Sequence, residues 1–430
     1  MRGAGRRARV LGRLLVLAGA AACTEQLTAP GVCPDYCPPG QIIVLDTVFR
    51  AILGRDSAFR GYVQAHNAGQ LLAASLPFRD SRPIFRTLAI PDGFRFGADT
   101  TLRPIVGVDS LRMALFLVRR DSGATNLTLR LYRLPLTIDS MTTLTDLAPD
   151  FAAAPIRTVN VDSLLGAPGR RNTLTRDSVS VEVGGAITVL VGLDSADAPY
   201  VPGDSGRLAF GVTVSADSLA NIALGSSEVG NGPRVSWFLR IDSAGVDTIP
   251  PIDTVPPVSR TINPIAEFDG FVFDPPALAL DSTLAVGGVP AARSIVRADL
   301  PQFLRDSAQV LRATLILVPT GPVQGTPSDS FFVAAYGVET DIGAKSPLVA
   351  DSLRRGSTLV RVGTADTLRI EITGLVQVWV ADTTAPTVLM LRQVPEGSTL
   401  AEMRFQPSAH ATFAPALQVT YARRFPFGVP

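Results

Sequence analysis

The chain is poor in the side chains that most catalytic and metal sites require. Its 430 residues include two His, three Cys, two Trp and a single Lys, Lys345. Histidine and cysteine supply most zinc ligands and many general bases, so their scarcity disfavours metalloenzymes and cysteine or histidine catalysis. The charge is nearly balanced, with 39 basic and 38 acidic residues and a net charge of +1. Such a chain has no broad attraction for phosphates, and we expect no nucleic-acid partner.

Long apolar runs are also lacking beyond the N-terminus. The apolar runs at 113–118 and 186–191 have six residues each. A membrane-spanning helix needs about 20 residues, so we expect no span in this part of the chain.

The first 22 residues have the pattern of a secretory signal peptide. Five Arg between Arg2 and Arg13 precede a short apolar stretch at 14–18 and the small residues at 20–22. With Cys23 directly after it, this segment resembles the lipobox of bacterial lipoproteins. The resemblance implies that Cys23 is lipidated and anchors an exported protein to the membrane of the bacterial envelope, at the outer membrane or cell surface. An ordinary signal peptide cut near Ala22 is the alternative.

The segment 23–40 is rich in Pro, Thr and Gly, which predicts a flexible tether. It contains Cys33 and Cys37, four positions apart. In an exported protein we expect these two to form a local disulfide, which leaves Cys23 for a separate role. A redox pair or half of a metal site is the alternative.

The acidic residues indicate a fold made mainly of β-strands. Asp outnumbers Glu by 30 to eight, and fifteen Asp are followed by Ser. Asp closes turns through its own downstream backbone, whereas Glu favours helices, so these pairs predict turns between many short strands. Segments such as 127–132, 235–240 and 368–372 alternate with the period of strands that have one face in a core. We find helical turns only near 144–151 and 300–306, and we expect an all-β fold.

A proline-rich segment divides the chain into two halves. The hexads 246–251 and 252–257 are nearly identical and end in Pro-Pro, which predicts an extended linker over 242–264. We expect one β-sandwich domain at 41–241 and another at 265–430. The halves match in order, with 111–118 aligned on 311–318 and 181–191 aligned on 370–380. Several matches in one order indicate duplication of a domain.

The order of segments is similar to that of the DNRLRE-type domain, a module of bacterial surface and secreted proteins. The similarity rests on a Gly-containing strand, an Arg-bearing strand ending in apolar-Pro, an LRxxLxLV strand, strands ending near Tyr132 or Tyr336, and a closing strand at 415–421. The resemblance implies two tandem antiparallel β-sandwiches of jelly-roll-like topology, related to non-catalytic carbohydrate-binding modules. It implies a role in binding or adhesion, with a polysaccharide or a surface protein as the partner.

Aromatic side chains are the candidates for sugar binding, because their apolar faces stack on pyranose rings. Tyr132 and Tyr336 are the candidate ligand-binding residues. Trp237 and Trp379 lie within the apolar phase of their segments, and we expect both to pack in a core.

Calcium is the metal that the composition favours, since it takes oxygen ligands from Asp side chains in loops. Asp194, Asp197 and Asp204 are close enough in sequence to form a structural calcium site, and ordinary turns are the alternative. We expect no other cofactor.

Two patterns have to be weighed as catalytic sites. The segment 203–206 (Gly-Asp-Ser-Gly) resembles the nucleophile loop of trypsin-like proteases, with His66 upstream. Its flanking residues differ from that family's, and we expect Ser205 to be a loop residue. Glu182 and Glu371 lie in matched places on the polar phase of strands, which predicts a solvated sheet face instead of a catalytic acid. Non-catalytic binding or adhesion is the first functional hypothesis, a structural role in the envelope is the second, and a hydrolase is a distant third.

Overall fold

The chain folds mainly into antiparallel β-strands, as its turn and alternation patterns predict. The computed structural model describes residues 43–423 except 62, 96–100, 122, 195, 198–205, 243–257, 278, 324, 327–328 and 342–348. Strands account for 52% of the described residues and helices for 9%, and one of the several antiparallel sheets curls into a half-barrel. The prediction of a mostly β fold is confirmed.

Two hydrophobic cores organise the strands into two sets, which we call module 1 and module 2. Module 2 begins with β1 (Val44–Phe49) and β2 (Leu53–Arg60). Module 1 comprises β3 (Gln70–Leu76), β4 (Arg79–Thr87), β5 (Gly93–Phe94), β6 (Arg103–Arg120), β7 (Thr128–Arg133), β8 (Arg157–Asn160), β9 (Ser178–Val181), β10 (Ile187–Leu193), β11 (Ala209–Ser215), β12 (Ala220–Gly225), β13 (Arg234–Ile241), β14 (Val258–Ile262) and β15 (Ala266–Asp274). Module 2 continues with β16 (Leu284–Gly287), β17 (Ala292–Ala298), β18 (Ala308–Leu317), β19 (Ser330–Thr340), β20 (Val349–Arg361), β21 (Leu368–Glu371), β22 (Val388–Val394), β23 (Glu402–Phe405) and β24 (Ala416–Arg423).

The two modules exchange a pair of strands. β1 pairs with β24 and β2 pairs with β17, so the first two strands of the chain complete module 2. β14 pairs with β13 and β15 pairs with β4, so the strands on the far side of the proline-rich segment complete module 1. Strand pairing therefore crosses the predicted boundary at 242–264 in both directions, and Val44–Pro430 form one compact unit.

The strand order of module 1 recurs in module 2. One layer of module 1 has the strand order β8-β7-β11-β4-β3-β12. Module 2 has the order β20-β19-β22-β17-β16-β23, in which each strand occupies the same place as its counterpart in module 1. The long strands β6 and β18 correspond to each other and carry the matched Leu-Arg segments. Leu115 and Leu315, which are equivalent in that match, are both buried in their cores.

One residue distinguishes the two long strands. β6 continues past Leu117 and pairs with β12 through Arg119 and Arg120, which joins the strands of module 1 into a sheet of 13 strands. The residue equivalent to Arg119 is Pro319, which lies beyond the end of β18 and makes only an isolated bridge to Phe405. The bonds on either side of this bridge, from Thr320 N–H to Arg404 C=O and from Gln406 N–H to Val318 C=O, are both 2.9 Å long. The contact does not extend into a ladder, and the strands of module 2 form separate sheets of four and seven strands.

The described residues also form four short α-helices and two 3₁₀ turns. These are α1 (Ala148–Ala152), α2 (Val161–Gly166), α3 (Gln302–Asp306), α4 (Thr373–Ala381), Pro168–Arg170 and Ser227–Val229. α1 and α3 fall where helical turns were expected. In the described part of the chain, none of the helices has the length and apolar content that crossing a membrane requires.

Helix α4 corrects one expectation. The alignment of 370–380 with 181–191 predicted a strand here, because the segment is almost continuously apolar. Its buried residues instead recur at helical spacing, so that one side of the helix packs on the second core. They are Leu375, Val376, Trp379 and Val380.

Candidate functional site

A strongly polar concave surface lies on the open face of the four-stranded sheet of module 2. This sheet has the order β1-β24-β18-β21, and β20 forms the facing wall of a cavity of about 420 Å³. We call this cavity the groove. Its lining residues are Asp46, Arg312, Thr314, Ser357, Thr358, Arg369, Glu371, Gln418 and Thr420.

The groove follows from strand alternation in β18 and β24. Leu315, Leu417 and Val419 point into the second core and are fully buried. The residues between them, such as Thr314 and Gln418, therefore point to the opposite face of the sheet. The lining consists of hydroxyl, amide, carboxylate and guanidinium side chains, because the outward positions on all four strands are polar.

The exchanged strand β1 contributes one side of the groove. Asp46 accepts a hydrogen bond of 2.7 Å from Gln418 Nε2 and one of 3.1 Å from Thr420 Oγ1. Arg369 Nη1 donates to Gln418 Oε1 over 3.2 Å, which extends the network across the groove. The network holds these side chains in fixed positions while leaving them exposed.

A charged pair forms the other side. Arg312 Nε donates to Glu371 Oε2 over 2.8 Å, and the two side chains are 69% and 49% exposed. Partial burial acts to raise the pKa of Glu371, but hydrogen bonds from Thr373 and Arg312 outweigh it and lower the pKa overall. The bond to Glu371 also raises the pKa of Arg312. Both groups are therefore ionised at neutral pH, so Glu371 accepts hydrogen bonds and does not donate a proton.

The corresponding face of module 1 has different chemistry. The guanidinium of Arg234 lies over the ring of Phe116, 5.5 Å from its centroid, and that of Arg112 lies over Phe238 at 5.9 Å. This face thus presents arginines stacked on half-buried rings, whereas the groove presents hydrogen-bonding groups.

The two predicted ligand-binding tyrosines lie in the interior. Tyr132 is 8% exposed and packs edge-on against Phe151, with ring centroids 5.3 Å apart. Tyr336 is 1% exposed, and its hydroxyl accepts a bond of 2.9 Å from Arg355 Nη1. Burial acts to raise the pKa of Tyr336, but hydrogen bonds from Arg392 and Arg355 lower it overall. A ring so enclosed has no free face for a sugar, so the groove and not these rings is the candidate site.

Trp237 and Trp379 are buried in the first and second cores, which confirms the expectation of core packing. Glu182 and Glu371 are both exposed, as predicted, but they are not equivalent in the fold. Glu371 lies in β21 directly opposite Thr314, whereas Glu182 follows β9, which β10 separates from β6. The expectation that these two acids occupy matched places is therefore wrong.

The predicted calcium ligands fall partly within the described residues. The backbone N–H of Asp194 donates to Asp197 Oδ2 over 2.9 Å, and Asp194 Oδ1 accepts from Arg176 over 2.7 Å. This is a turn with an ion pair, and Asp204 lies outside the described residues. No group of three or more His, Cys, Asp or Glu side chains that could hold a metal is found within the described ranges. The calcium site stays a prediction.

Several other predicted features lie outside the described residues. They are the signal peptide at 1–22, the tether at 23–40, the lipidation site Cys23, the disulfide residues Cys33 and Cys37, and Ser205.

No sequence pattern marked Asp46, Arg369 or Gln418 as site residues. The alternation at 368–372 did place Arg369 on an outward face, which is the signal that was present. Asp46 had no such signal, because its role depends on the exchange of β1 into module 2.

Comparison of the chain with protein-family models and with curated proteins gives no match.

Proposed function

We propose that this chain is a non-catalytic, exported binding protein, anchored to the bacterial envelope through a lipid on Cys23, whose groove binds a polysaccharide. Its two modules serve as jelly-roll-like β-sandwiches that display this surface. The observation that carries the proposal is the groove itself, where donors and acceptors are held side by side on an open sheet face. Carbohydrate hydroxyls both donate and accept hydrogen bonds, so such a surface complements them.

The electrostatics of the groove support binding over catalysis. A glycosidase acid needs a raised pKa, whereas Arg312 and Thr373 hold Glu371 ionised. The resemblance of the segment order to DNRLRE-type domains supports the same proposal, since those modules are related to non-catalytic carbohydrate-binding modules.

A glycan array tests the proposal. The mature protein should bind one or more envelope or extracellular polysaccharides, and Gln418→Ala should lose most of that signal, because Gln418 connects Asp46 to Arg369 across the groove. Gln302→Ala, an exposed glutamine outside the groove, is the matched control and should bind as the wild type does. An array on which the wild type binds no glycan would contradict the proposal.

A structural role in the envelope is the second candidate. Phe332 and Leu359 are paired between β19 and β20, and they are 46% and 44% exposed. β20 lies at the end of its sheet order, and exposed apolar residues beside a sheet edge favour lateral association of copies. Under this alternative, the wild type should self-associate in sedimentation experiments and Leu359→Lys should be monomeric.

A further inference from the structure

A second cavity lies where the two modules meet. Its volume is about 270 Å³, slightly below the range of roughly 300–1,000 Å³ that is typical of drug-sized ligands. Phe78 and Arg79 line it from module 1, and Val289, Gly321, Leu400 and Glu402 are among the residues that line it from module 2. The size favours a ligand as large as one sugar ring.

The cavity lies beside the chain that follows β18. In module 1 the equivalent strand continues through Arg119 and Arg120 to pair with β12. In module 2 the bridge at Pro319 is flanked by bonds from Thr320 N–H to Arg404 C=O and from Gln406 N–H to Val318 C=O, each 2.9 Å long. Gly321 follows this bridge and lines the cavity.

The polar wall of the cavity has an excess of positive charge. The carboxylate of Glu402 is bound by Arg60 at 2.5 Å and by Arg404 at 2.7 Å. Arg79 is the third guanidinium, and the exposed Asp274 is the other carboxylate acting on it. Three guanidinium groups and two carboxylates leave one positive charge, which fits a monoanion better than a phosphate dianion.

Arg79 has hydrogen-bonding capacity to spare. Its Nη1 donates to the carbonyl of Pro275, and its guanidinium lies 5.1 Å from the centroid of Phe273. Its Nε is buried without a hydrogen-bond partner among the described residues. Burial is the main cause that lowers the pKa of Arg79, with the nearby Arg60 acting in the same direction. A carboxylate in the cavity would act on the guanidinium through its charge and so offset that cost, while the enclosed Nε stays out of its reach.

The opposite wall is apolar. It is formed by Phe78, Val289, Pro322 and Leu400, so the cavity has one charged side and one hydrophobic side. An inorganic ion would satisfy the first side and leave the second empty.

We propose that this cavity binds a small monocarboxylate with a ring-sized body, such as one uronic-acid unit, with the carboxylate on Arg79 and the ring against Leu400. The ligand touches both modules and so stabilises their association. This site is separate from the groove and does not depend on the function proposed for it.

Calorimetry and thermal unfolding of the mature protein with sodium D-glucuronate test the proposal. D-glucose is the control that has the sugar ring without the carboxylate, and sodium sulfate is the control that has negative charge without a ring. We expect glucuronate to bind and raise the melting temperature, and we expect glucose and sulfate to have much smaller effects. Arg79→Met should weaken glucuronate binding roughly tenfold to a hundredfold, the cost of one charge-assisted hydrogen bond.

A second variant tests the cavity independently, in case Arg79→Met does not fold. A side chain added at Gly321 meets open space, so Gly321→Leu adds bulk to the cavity lining without a clash and should also abolish glucuronate binding. Gly166→Leu, at a glycine with equally open surroundings at the end of α2, is the matched control and should bind normally.

The proposal is overturned if glucuronate does not bind, if glucose or sulfate has an equal effect, or if Gly321→Leu binds glucuronate as the wild type does. Arg312→Met in the groove should leave glucuronate binding unchanged, which separates this result from any failure of the groove to bind polysaccharide.

Discussion

Modules 1 and 2 share a strand order but differ where they face each other. At position 119 module 1 has an arginine that extends β6 and reaches into module 2, where its Nη1 lies 2.6 Å from Asp329 Oδ1. Asn221 Nδ2 also donates to Asp329 over 2.7 Å. At the equivalent position module 2 has Pro319, and a cavity borders the chain that follows it. Of the two matched positions, one thus makes a polar contact to the other module, and the other is followed by residues that line a cavity.

The two long strands β6 and β18 also differ more on their outward faces than on their inward faces. The inward Leu115 and Leu315 are identical in type and are both buried. Among the outward positions Arg112 and Arg312 are identical in type, whereas Ala114 corresponds to Thr314 and Phe116 corresponds to Ile316. Packing constrains only the inward set, so two surfaces with different chemistry can be carried by one strand order.

The largest expected effect comes from breaking the strand exchange. Leu53 lies in β2 but is buried in the second core, so Leu53→Ala should lower the free energy of unfolding by about 2–5 kcal/mol. Hydrogen exchange should accelerate in β17, where Ala298 pairs with Leu53, more than in β3, which is nearer in sequence. Urea unfolding and exchange mass spectrometry measure both effects. Leu359→Ala, at an exposed position, is the control, and equal acceleration in β3 would contradict the exchange.

A smaller effect is expected at the contact between the modules. Arg119→Met leaves the buried Asp329 without its cation and should cost about 1.5–3 kcal/mol of unfolding free energy. Arg55 and Asp299 form an ion pair of 2.9 Å in module 2 with both side chains well exposed. Arg55→Met is therefore the matched variant and should have little effect. Equal losses in the two variants, measured by urea unfolding, would refute a special role for the Arg119 contact.

Each of the exchanged strands β15 and β2 carries a carboxylate that accepts a backbone hydrogen bond. Asp269 in β15 accepts a bond of 2.7 Å from Ser227 N–H, and Asp56 in β2 accepts one of 2.7 Å from Ser408 N–H. Ser227 follows β12 and Ser408 follows β23, and these two strands stand at the same end of the matched strand orders. Burial raises the pKa of Asp269, against the opposing effect of its bonds from Ser227 and Ser226.

A raised pKa makes the contribution of Asp269 depend on pH. The folded state holds this proton more tightly than the unfolded chain does, so the contribution is complete below about pH 4 and is lost as the pH rises through the raised pKa. The stability of Asp269→Asn relative to the wild type should therefore increase across this window. Asp56→Asn retains Asp269, so we expect its free energy of unfolding to depend on pH as that of the wild type does. Urea unfolding at a series of pH values measures this. A difference in unfolding free energy between Asp269→Asn and the wild type that does not change with pH would contradict the prediction.

Side-chain alternation was enough to predict which residues enter a core, but not which strands pair. The period of two around Trp237 and around Ile370 put both inside, and both are buried. Alternation gives no information about the pairing partner, so β1 was assigned to the first domain and β15 to the second, where they occur in sequence, and β14 was assigned to the linker. The exchange depends on long-range contacts that no local pattern encodes.

Two local signals were ambiguous for physical reasons. The almost continuous apolar run at 373–381 fits a buried strand or a buried helix, and its burial pattern resolves it as a helix. Asp-Ser pairs do close turns, as at Asp281-Ser282, where both residues have positive φ. Others, such as Asp109-Ser110, lie within a strand, because a short polar side chain also suits a solvated sheet face.

The most direct measurement of the central claim compares Arg312→Met in the groove with Arg112→Met at the equivalent position of module 1. Calorimetry would use the polysaccharide identified on the glycan array, with urea unfolding to verify that both exposed substitutions leave stability nearly unchanged. We expect Arg312→Met to bind roughly tenfold more weakly and Arg112→Met to bind as the wild type does. Equal affinity of the two variants for the polysaccharide would contradict the assignment of binding to the groove.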